Sequence, residues 1–141
     1  MAEQLHASVE LINNKVKFKG TAKSNDPVVI DYDAPLGDGE GYTSLELLLI
    51  SLASCSASTV VSILRKMKKN VSGLRVNAEG LRRETHPTSF EKITLVFIVN
   101  SPDIVEPDIQ KAIKLSEETF CPVWAMLKNN VEINSKYEIV V

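Results

Sequence analysis

The longest apolar stretch of the chain runs from Thr43 to Asn70 and predicts one long central helix. Between Leu47 and Leu64 the stretch contains no charged residue, glycine or proline, so nothing interrupts a helix there. Thr43 and Glu46 have the spacing of a capping box, which predicts the start of the helix at this point. Lysines and an arginine follow Leu64, where positive charge stabilises the C-terminal end of a helix.

An uncharged run of this length is also typical of a transmembrane helix. Six of the residues between Leu47 and Leu64 are serine or threonine, and amphipathic segments surround the run, so we interpret it as a buried core helix and expect no membrane span. A helix that is apolar on nearly every side needs more cover than the small sheets of one chain provide. The sequence therefore predicts an intertwined homodimer.

Cys55 lies in the middle of this predicted helix, on a stripe of small polar residues. At about 100° per residue, Ser51, Ser58 and Ser62 fall on the same narrow side as Cys55, which predicts that another backbone can approach the thiol. Glu46 lies about 180° around the helix from Cys55. Within a single helix we therefore expect Glu46 to cap the first turn rather than to contact the thiol.

The rest of the chain predicts strands and two further helices. Alternating or continuous apolar residues indicate six strands: 5–12, 15–21, 28–32, 74–84, 92–100 and 131–141. A second helix is predicted over 107–119, and Pro122 suits the first position of a short third helix. This order predicts an α+β fold with mostly antiparallel sheets around the long central helix, in one domain spanning residues 1–141.

Composition and charge exclude some classes of protein. The chain has 141 residues, of which 44% are hydrophobic, and a net charge of −2, which gives no electrostatic reason to expect a nucleic-acid partner. The first residues have neither the basic nor the apolar region of a signal peptide. We therefore expect a soluble protein of the cytoplasm.

The two cysteines, Cys55 and Cys121, are the candidate reactive residues of the chain. Together with His6 and His86 they show none of the close pair spacings of a zinc site, so we expect no metal and no cofactor. The third helix would begin at Pro122, which places Cys121 at its N-cap, where backbone amides face the sulfur. His86 precedes a proline on the loop between two strands, where a histidine is usually solvated.

Two interpretations of the cysteines remain open at this point. In the first, Cys55 attacks an O–O bond and becomes a sulfenic acid, which condenses with Cys121 to a disulfide that an external dithiol reduces. In the second, both cysteines are small buried apolar residues. The spacing alone favours the second interpretation, because two cysteines so far apart in sequence are a weak signal.

Three segments carry a resemblance to a known family: SLELLLISLASCSASTVVSIL, the later hairpin with its His-Pro turn, and KLSEETFCPVWAML. From about Gly41 to Val141 the chain resembles the osmotically inducible protein C (OsmC) family, which includes the organic hydroperoxide resistance proteins. The resemblance implies an OsmC-like fold, a swapped homodimer with active sites at the interface, and thiol-dependent reduction of organic hydroperoxides. It also implies that Cys55 attacks the peroxide and that Cys121 resolves the sulfenic acid.

The chain departs from the characterised hydroperoxide reductases of that family at two positions. Those enzymes use an N-terminal arginine near the attacking thiolate, whereas this chain has no arginine before Arg65, and a lysine cannot supply the same bidentate fork. They also carry a glutamate one position earlier than Glu46, where this chain has Leu45. The sequence is therefore similar to a less characterised branch, with Glu46 and His86 as candidate accessory residues.

An alternative function follows from the missing arginine. The chain would then be an OsmC-like small-molecule binding protein with an apolar pocket at the dimer interface and little or no peroxidase turnover. The two functions differ in the expected pKa of Cys55, since catalysis needs a thiolate whereas a binding protein can carry a silent, buried thiol.

Overall fold

The computed structural model describes residues 2–141 and confirms the predicted α+β class. Six strands and three α-helices follow in the order β1 (Ser8–Leu11), β2 (Phe18–Thr21), β3 (Val28–Ile30), α1 (Ser44–Lys66), β4 (Gly73–Arg82), β5 (Phe90–Asn100), α2 (Glu106–Leu115), α3 (Pro122–Leu127) and β6 (Glu132–Val140). A π-helical turn, Ser116–Phe120, joins α2 to α3. The chain divides into two compact units, the first ending at Leu48 and the second running from Leu49 to Val141.

In the first unit, β1, β2 and β3 form an antiparallel sheet in sequential order. The turn between β1 and β2 is longer than the sequence predicts, because Asn13 Oδ1 accepts hydrogen bonds from the amides of Lys15 and Lys17, both at 3.0 Å. One face of the sheet is apolar. On that face Val9 and Leu11 are 63% and 51% exposed, so the single chain leaves much of it in contact with solvent.

The loop that leads to α1 is organised around the buried carboxylate of Asp31. This carboxylate accepts hydrogen bonds from the amides of Tyr32 at 2.8 Å, Glu40 at 3.1 Å and Asp38 at 3.2 Å. A Cβ atom on Gly37 would lie 2.3 Å from Asp31 Oδ1, so a glycine is required there. Burial by itself raises the pKa of Asp31, but the three amides outweigh burial and hold the pKa below its usual 3.8.

Helix α1 begins where the sequence predicts it. The amide of Thr43 donates to Glu46 Oε1 at 2.8 Å, and the amide of Glu46 donates to Thr43 Oγ1 at 3.2 Å. These two reciprocal hydrogen bonds satisfy backbone donors that the first helical turn leaves without partners. The capping box is therefore present, and the Glu46 carboxylate acts in it.

Helix α1 ends at Lys66, four residues before the predicted end at Asn70. Lys68 adopts a left-handed backbone conformation with φ of 63°, which an α-helix cannot continue through. The amides of Lys68 and Lys69 fold back onto carbonyls of the last helical turn, both at 3.0 Å. This is the hydrogen-bond pattern of a Schellman motif, which commonly contains glycine at the position that Lys68 occupies.

In the second unit, β4, β5 and β6 form a mixed sheet. Strands β4 and β5 pair antiparallel, whereas β6 pairs parallel with β5 after the crossover through α2 and α3. Alternate residues of β5 are fully buried: Ile93, Leu95, Phe97 and Val99. Side chains of α1 and α2 complete the core of this unit: Leu52, Val60, Leu64, Ile109, Ala112 and Ile113. Three of the four strand pairings among the described residues are antiparallel, as the sequence predicts.

We expect Asp31→Asn to lower the melting temperature by about 5 °C or more at pH 7, because it removes the charged acceptor of three amides. The folded-state pKa of Asp31 lies below the unfolded value, so the carboxylate stabilises the fold fully above about pH 4. That contribution is lost as the pH falls through the folded-state pKa. Thermal unfolding followed by circular dichroism between pH 2 and 7 measures both effects.

The exposed Asp26 provides the control, since Asp26→Asn removes a carboxylate of the same unit that is open to solvent. We expect this variant to keep the acid dependence of the wild type, and Asp31→Asn to flatten it. Equal melting curves for the Asp31 variant and the wild type across this pH range would refute the role given to Asp31.

Candidate active site

Cys55 lies at the middle of α1 and is half-buried. In the single chain, the side of this helix that is buried is not the stripe of small polar residues predicted to face another backbone. Ser51, Ser58 and Ser62 are exposed, whereas the buried residues follow one another at intervals of four: Leu52, Ser56, Val60 and Leu64. Cys55 therefore lies at the edge of the buried side and is partly exposed as a residue.

Cys121 is the N-cap of α3, as the sequence predicts, with Pro122 at the first helical position. Its sulfur accepts a hydrogen bond from the amide of Trp124 at 3.4 Å, and the residue is only 2% exposed. The π-helical turn before it ends in a hydrogen bond from the Cys121 amide to the carbonyl of Ser116, at 2.9 Å. Helix 107–119 of the prediction is thus divided, and its last residues form the wider turn that leads into Cys121.

The fold brings the two free cysteines together, although they are distant in sequence. Cys121 and the backbone of Val123 lie close enough to the Cys55 thiol to shift its pKa, Cys121 upwards and the Val123 amide downwards. The hydroxyl of Ser56 lies 3.6 Å from Cys121 Sγ. Helix α1 and the start of α3 therefore bring a half-buried and a buried thiol together beside one hydroxyl and two backbone amides.

The environment of Cys55 disfavours its thiolate. Burial raises the pKa of the Cys55 thiol, and the neighbouring Cys121 thiol raises it further. The Val123 amide acts in the opposite direction but is the smaller effect. A proton therefore stays on Cys55 above the pH at which a free cysteine loses it.

The N-terminal lysines, which the sequence offers in place of an arginine, have carboxylate partners within the first unit. Lys15 pairs with Asp38 at 2.6 Å, and Lys17 pairs with Glu40. Lys19 lies 3.3 Å from a third carboxylate, that of Glu10. These pairs are exposed at the surface, where such contacts contribute little to stability.

The two candidate accessory residues, Glu46 and His86, lie in the capping box of α1 and on an exposed loop. Glu46 is held by Thr43 in the capping box. His86 is exposed on the loop between β4 and β5, and among the described residues it makes no hydrogen bond or ion pair with either thiol. A catalytic part for Glu46 or His86 stays a prediction.

Two serines next to Cys121, Ser56 and Ser116, are not singled out by the sequence pattern. Ser56 escaped attention because the helix turns it about 100° away from Cys55, although its four-residue spacing from Leu52 and Val60 marks the buried side. Ser116 is fully buried, and its hydroxyl has no hydrogen-bond partner among the described residues. No local sequence signal distinguishes Ser116 from an exposed serine, since its burial results from the π-helical turn.

Comparison with known proteins identifies the family. The family model for OsmC-like proteins matches residues 37–136 of this chain. Protein YhfA of Escherichia coli K12 is 35% identical over 123 residues, which cover 87% of this chain and 90% of YhfA. An OsmC-like protein from Mycoplasma pneumoniae superposes with a TM-score of 0.84 at 20% identity, over 100% of both chains. An organic hydroperoxide resistance protein OsmC from Legionella pneumophila gives a TM-score of 0.69 at 14% identity, over 100% of this chain and 99% of the other.

The architecture and the family match together define the class of protein. Two small sheets and one long helix form the fold shared with the two solved structures, and at these identities those structures establish the fold alone. The family model covers most of the chain, so the chain belongs to the OsmC family. This confirms the resemblance seen in the sequence. The family includes cysteine-based hydroperoxide reductases.

We expect Cys55 to react slowly with iodoacetamide at neutral pH, because its raised pKa leaves little thiolate. Its alkylation rate should still increase above pH 9. In Cys121→Ala the partner that raises the pKa is absent, so alkylation of Cys55 at pH 8 should become about threefold to tenfold faster. Intact mass and peptide mapping between pH 6 and 10 measure the rate at Cys55 itself.

Ser58→Ala is the matched control, since it removes an exposed hydroxyl one turn along the same helix. It should leave the alkylation profile unchanged. A wild-type profile with its midpoint below pH 8 would contradict the raised pKa of Cys55.

Proposed function

We propose that this protein is a thiol peroxidase that reduces organic hydroperoxides through Cys55 and Cys121. The observation that carries the proposal is the proximity of these two free cysteines, one on α1 and one at the N-cap of α3. Membership of a family that includes hydroperoxide reductases supports the same activity. No metal or cofactor is needed for this chemistry.

Reduction of the peroxide takes place at Cys55. The Cys55 thiolate attacks the terminal oxygen of the hydroperoxide, the O–O bond breaks, and the alkoxide leaves as an alcohol after it gains a proton. Cys55 is thereby oxidised to a sulfenic acid. The partial exposure of Cys55 supports this assignment, because the peroxide must reach the attacking sulfur.

Resolution takes place at Cys121. Its sulfur attacks the sulfur of the sulfenic acid, an S–S bond forms, and hydroxide leaves as water after protonation. An external dithiol then reduces the disulfide by two exchange steps and is itself oxidised. The burial of Cys121 supports the resolving role, since a residue that is only 2% exposed is protected from direct attack by peroxide while it lies beside Cys55.

The surroundings of Cys121 support an apolar organic peroxide as substrate. Phe120 and Met126 flank the N-cap in sequence and are 57% and 69% exposed, whereas Trp124 is buried. Exposed large apolar side chains on the segment that carries Cys121 favour a hydrocarbon group over hydrogen peroxide. The raised pKa of Cys55 lowers the rate of attack at neutral pH, so we propose a slower enzyme than relatives that carry the arginine.

One equivalent of cumene hydroperoxide should consume both thiols of the wild type and form a Cys55–Cys121 disulfide. Cys121→Ser should stop at an oxidised Cys55, heavier by about 16 Da. Cys55→Ser should leave Cys121 unoxidised, because the buried thiol does not meet the peroxide. Intact mass and a free-thiol count measure each outcome. Survival of both wild-type thiols in excess peroxide would eliminate the peroxidase.

A homodimer is part of the proposal. The apolar face of the first sheet, with Val9 and Leu11, is open to solvent in the single chain. Helix α1 is long and apolar enough to cross a membrane by length and composition, and 22% of its most apolar window is buried within the chain. Its exposed serines and its family membership support cover by a second chain rather than by lipid. We propose a soluble cytoplasmic dimer without a nucleic-acid partner.

Analytical ultracentrifugation at micromolar concentration should give twice the 15.6 kDa mass of the chain. Leu11→Asp places a charge on the apolar face and should shift the protein to the monomer, because a buried unpaired charge is costly at an interface. Ser8→Asp adds the same charge on the opposite face of the same strand and should leave the dimer intact. A wild-type monomer at this concentration would exclude the dimer.

The second candidate function is the binding of a small apolar molecule without turnover. The observation in its favour is the raised pKa of Cys55, which is typical of a structural thiol. In the first unit an open cavity of about 430 Å³ is lined by residues of β1, β2, the segment before β3 and the start of β3, including Val9 and Val28. A protein of this kind would leave both thiols unchanged in the peroxide experiment.

A further inference from the structure

The hydroxyl of Ser56 differs from the other hydroxyls on the middle of α1. Ser54, Ser58 and Thr59 each donate to a carbonyl of their own helix, at 3.2, 2.8 and 3.0 Å. Ser56 is fully buried, and its Oγ lies 3.6 Å from Cys121 Sγ on a different element of the fold. A buried hydroxyl needs a partner, and the partner here is the sulfur of the proposed resolving cysteine.

Two polar groups therefore converge on Cys121 Sγ, and both can donate to it when it is a thiolate. The amide of Trp124 approaches from α3 at 3.4 Å, and the hydroxyl of Ser56 approaches from α1 at 3.6 Å. Both groups are neutral, and both are fixed by buried secondary structure. A thiolate is a stronger hydrogen-bond acceptor than a thiol or a disulfide sulfur, because it carries a full negative charge. These donors consequently stabilise Cys121 most when charge develops on its sulfur.

We propose that Ser56 is a positioning residue that holds the sulfur of Cys121 beside Cys55 and sets the thiol–disulfide equilibrium of the pair. A disulfide sulfur is neutral and is a weaker acceptor than a thiolate, so the hydrogen bond from Ser56 weakens when the disulfide forms. Ser56 thus stabilises the reduced pair relative to the disulfide. It also holds Cys121 on the side of α1 from which it can attack a sulfenic acid on Cys55.

This proposal rests on the proposed function only for the attack on the sulfenic acid. The equilibrium can be measured without any peroxide, since one glutathione disulfide accepts two electrons from the pair, giving a Cys55–Cys121 disulfide and two glutathione thiols. Failure of peroxide reduction with a normal equilibrium would refute the peroxidase and leave the role of Ser56 standing.

The experiment titrates the full-length protein with glutathione buffers of defined redox ratio at pH 6.5 and at pH 9. Ser56→Ala should shift the equilibrium towards the disulfide by about threefold to tenfold at pH 9, as expected for the loss of one hydrogen bond to a charged group. The shift should be smaller at pH 6.5, where less thiolate is present. Acid quenching, alkylation and intact mass measure the disulfide fraction.

Two further variants separate the hydroxyl from packing effects. Ser56→Thr keeps the hydroxyl and should remain within about twofold of the wild type, on the same reasoning. Ser58→Ala removes an exposed hydroxyl of the same helix and should have no effect at either pH. Melting curves for each variant establish that it is folded.

Three results would overturn the proposal. The first is an equilibrium for Ser56→Ala that equals the wild type at both pH values. The second is the same shift at pH 6.5 and pH 9, which would indicate a packing effect rather than stabilisation of charge. The third is a wild-type pair that forms no disulfide in oxidised glutathione, which would also refute resolution by Cys121.

Discussion

The proximity of Cys55 and Cys121 is the constraint on which the proposed chemistry depends. It requires α1 to run unbroken past Cys55 and α3 to begin where its N-cap sulfur lies beside that helix. The π-helical turn, Ser116–Phe120, lies directly before Cys121, whose amide donates to the carbonyl of Ser116. Pro122 then starts α3 without leaving an amide unpaired. The end of α2 and the start of α3 are both specified by residues close together in sequence, and this places Cys121 beside α1.

Local signals in the sequence were sufficient for most of the fold. The capping box at Thr43, the N-cap at Cys121 and the order of strands and helices all depend on residues close together in the chain, and the structure has them. The early end of α1 was missed because Lys68 takes a conformation that sequence patterns assign to glycine. The parallel pairing of β6 and the burial of Ser56 arise from distant segments, so no local pattern predicts them.

The electrostatics of the site combine two opposing requirements. Burial and the neighbouring thiol keep the proton on Cys55, which slows attack on a peroxide. The same burial keeps Cys121 in contact with Cys55 and out of reach of solvent oxidants. A site of this kind favours controlled formation of one disulfide over rapid turnover. This balance differs from a site in which a cation lowers the pKa of the attacking thiol.

Neutral donors provide a different route to stabilising a thiolate than a cation does. The amides of Val123 and Trp124 and the hydroxyl of Ser56 face the two sulfurs, and each is fixed by a helix. A guanidinium would add a buried charge that itself needs a partner whenever the sulfur is neutral. Neutral dipoles have no such cost in the disulfide state, and salt screens them little because they are buried. In a chain without an arginine before Arg65, these dipoles are the groups of the second unit that can support a cysteine redox cycle.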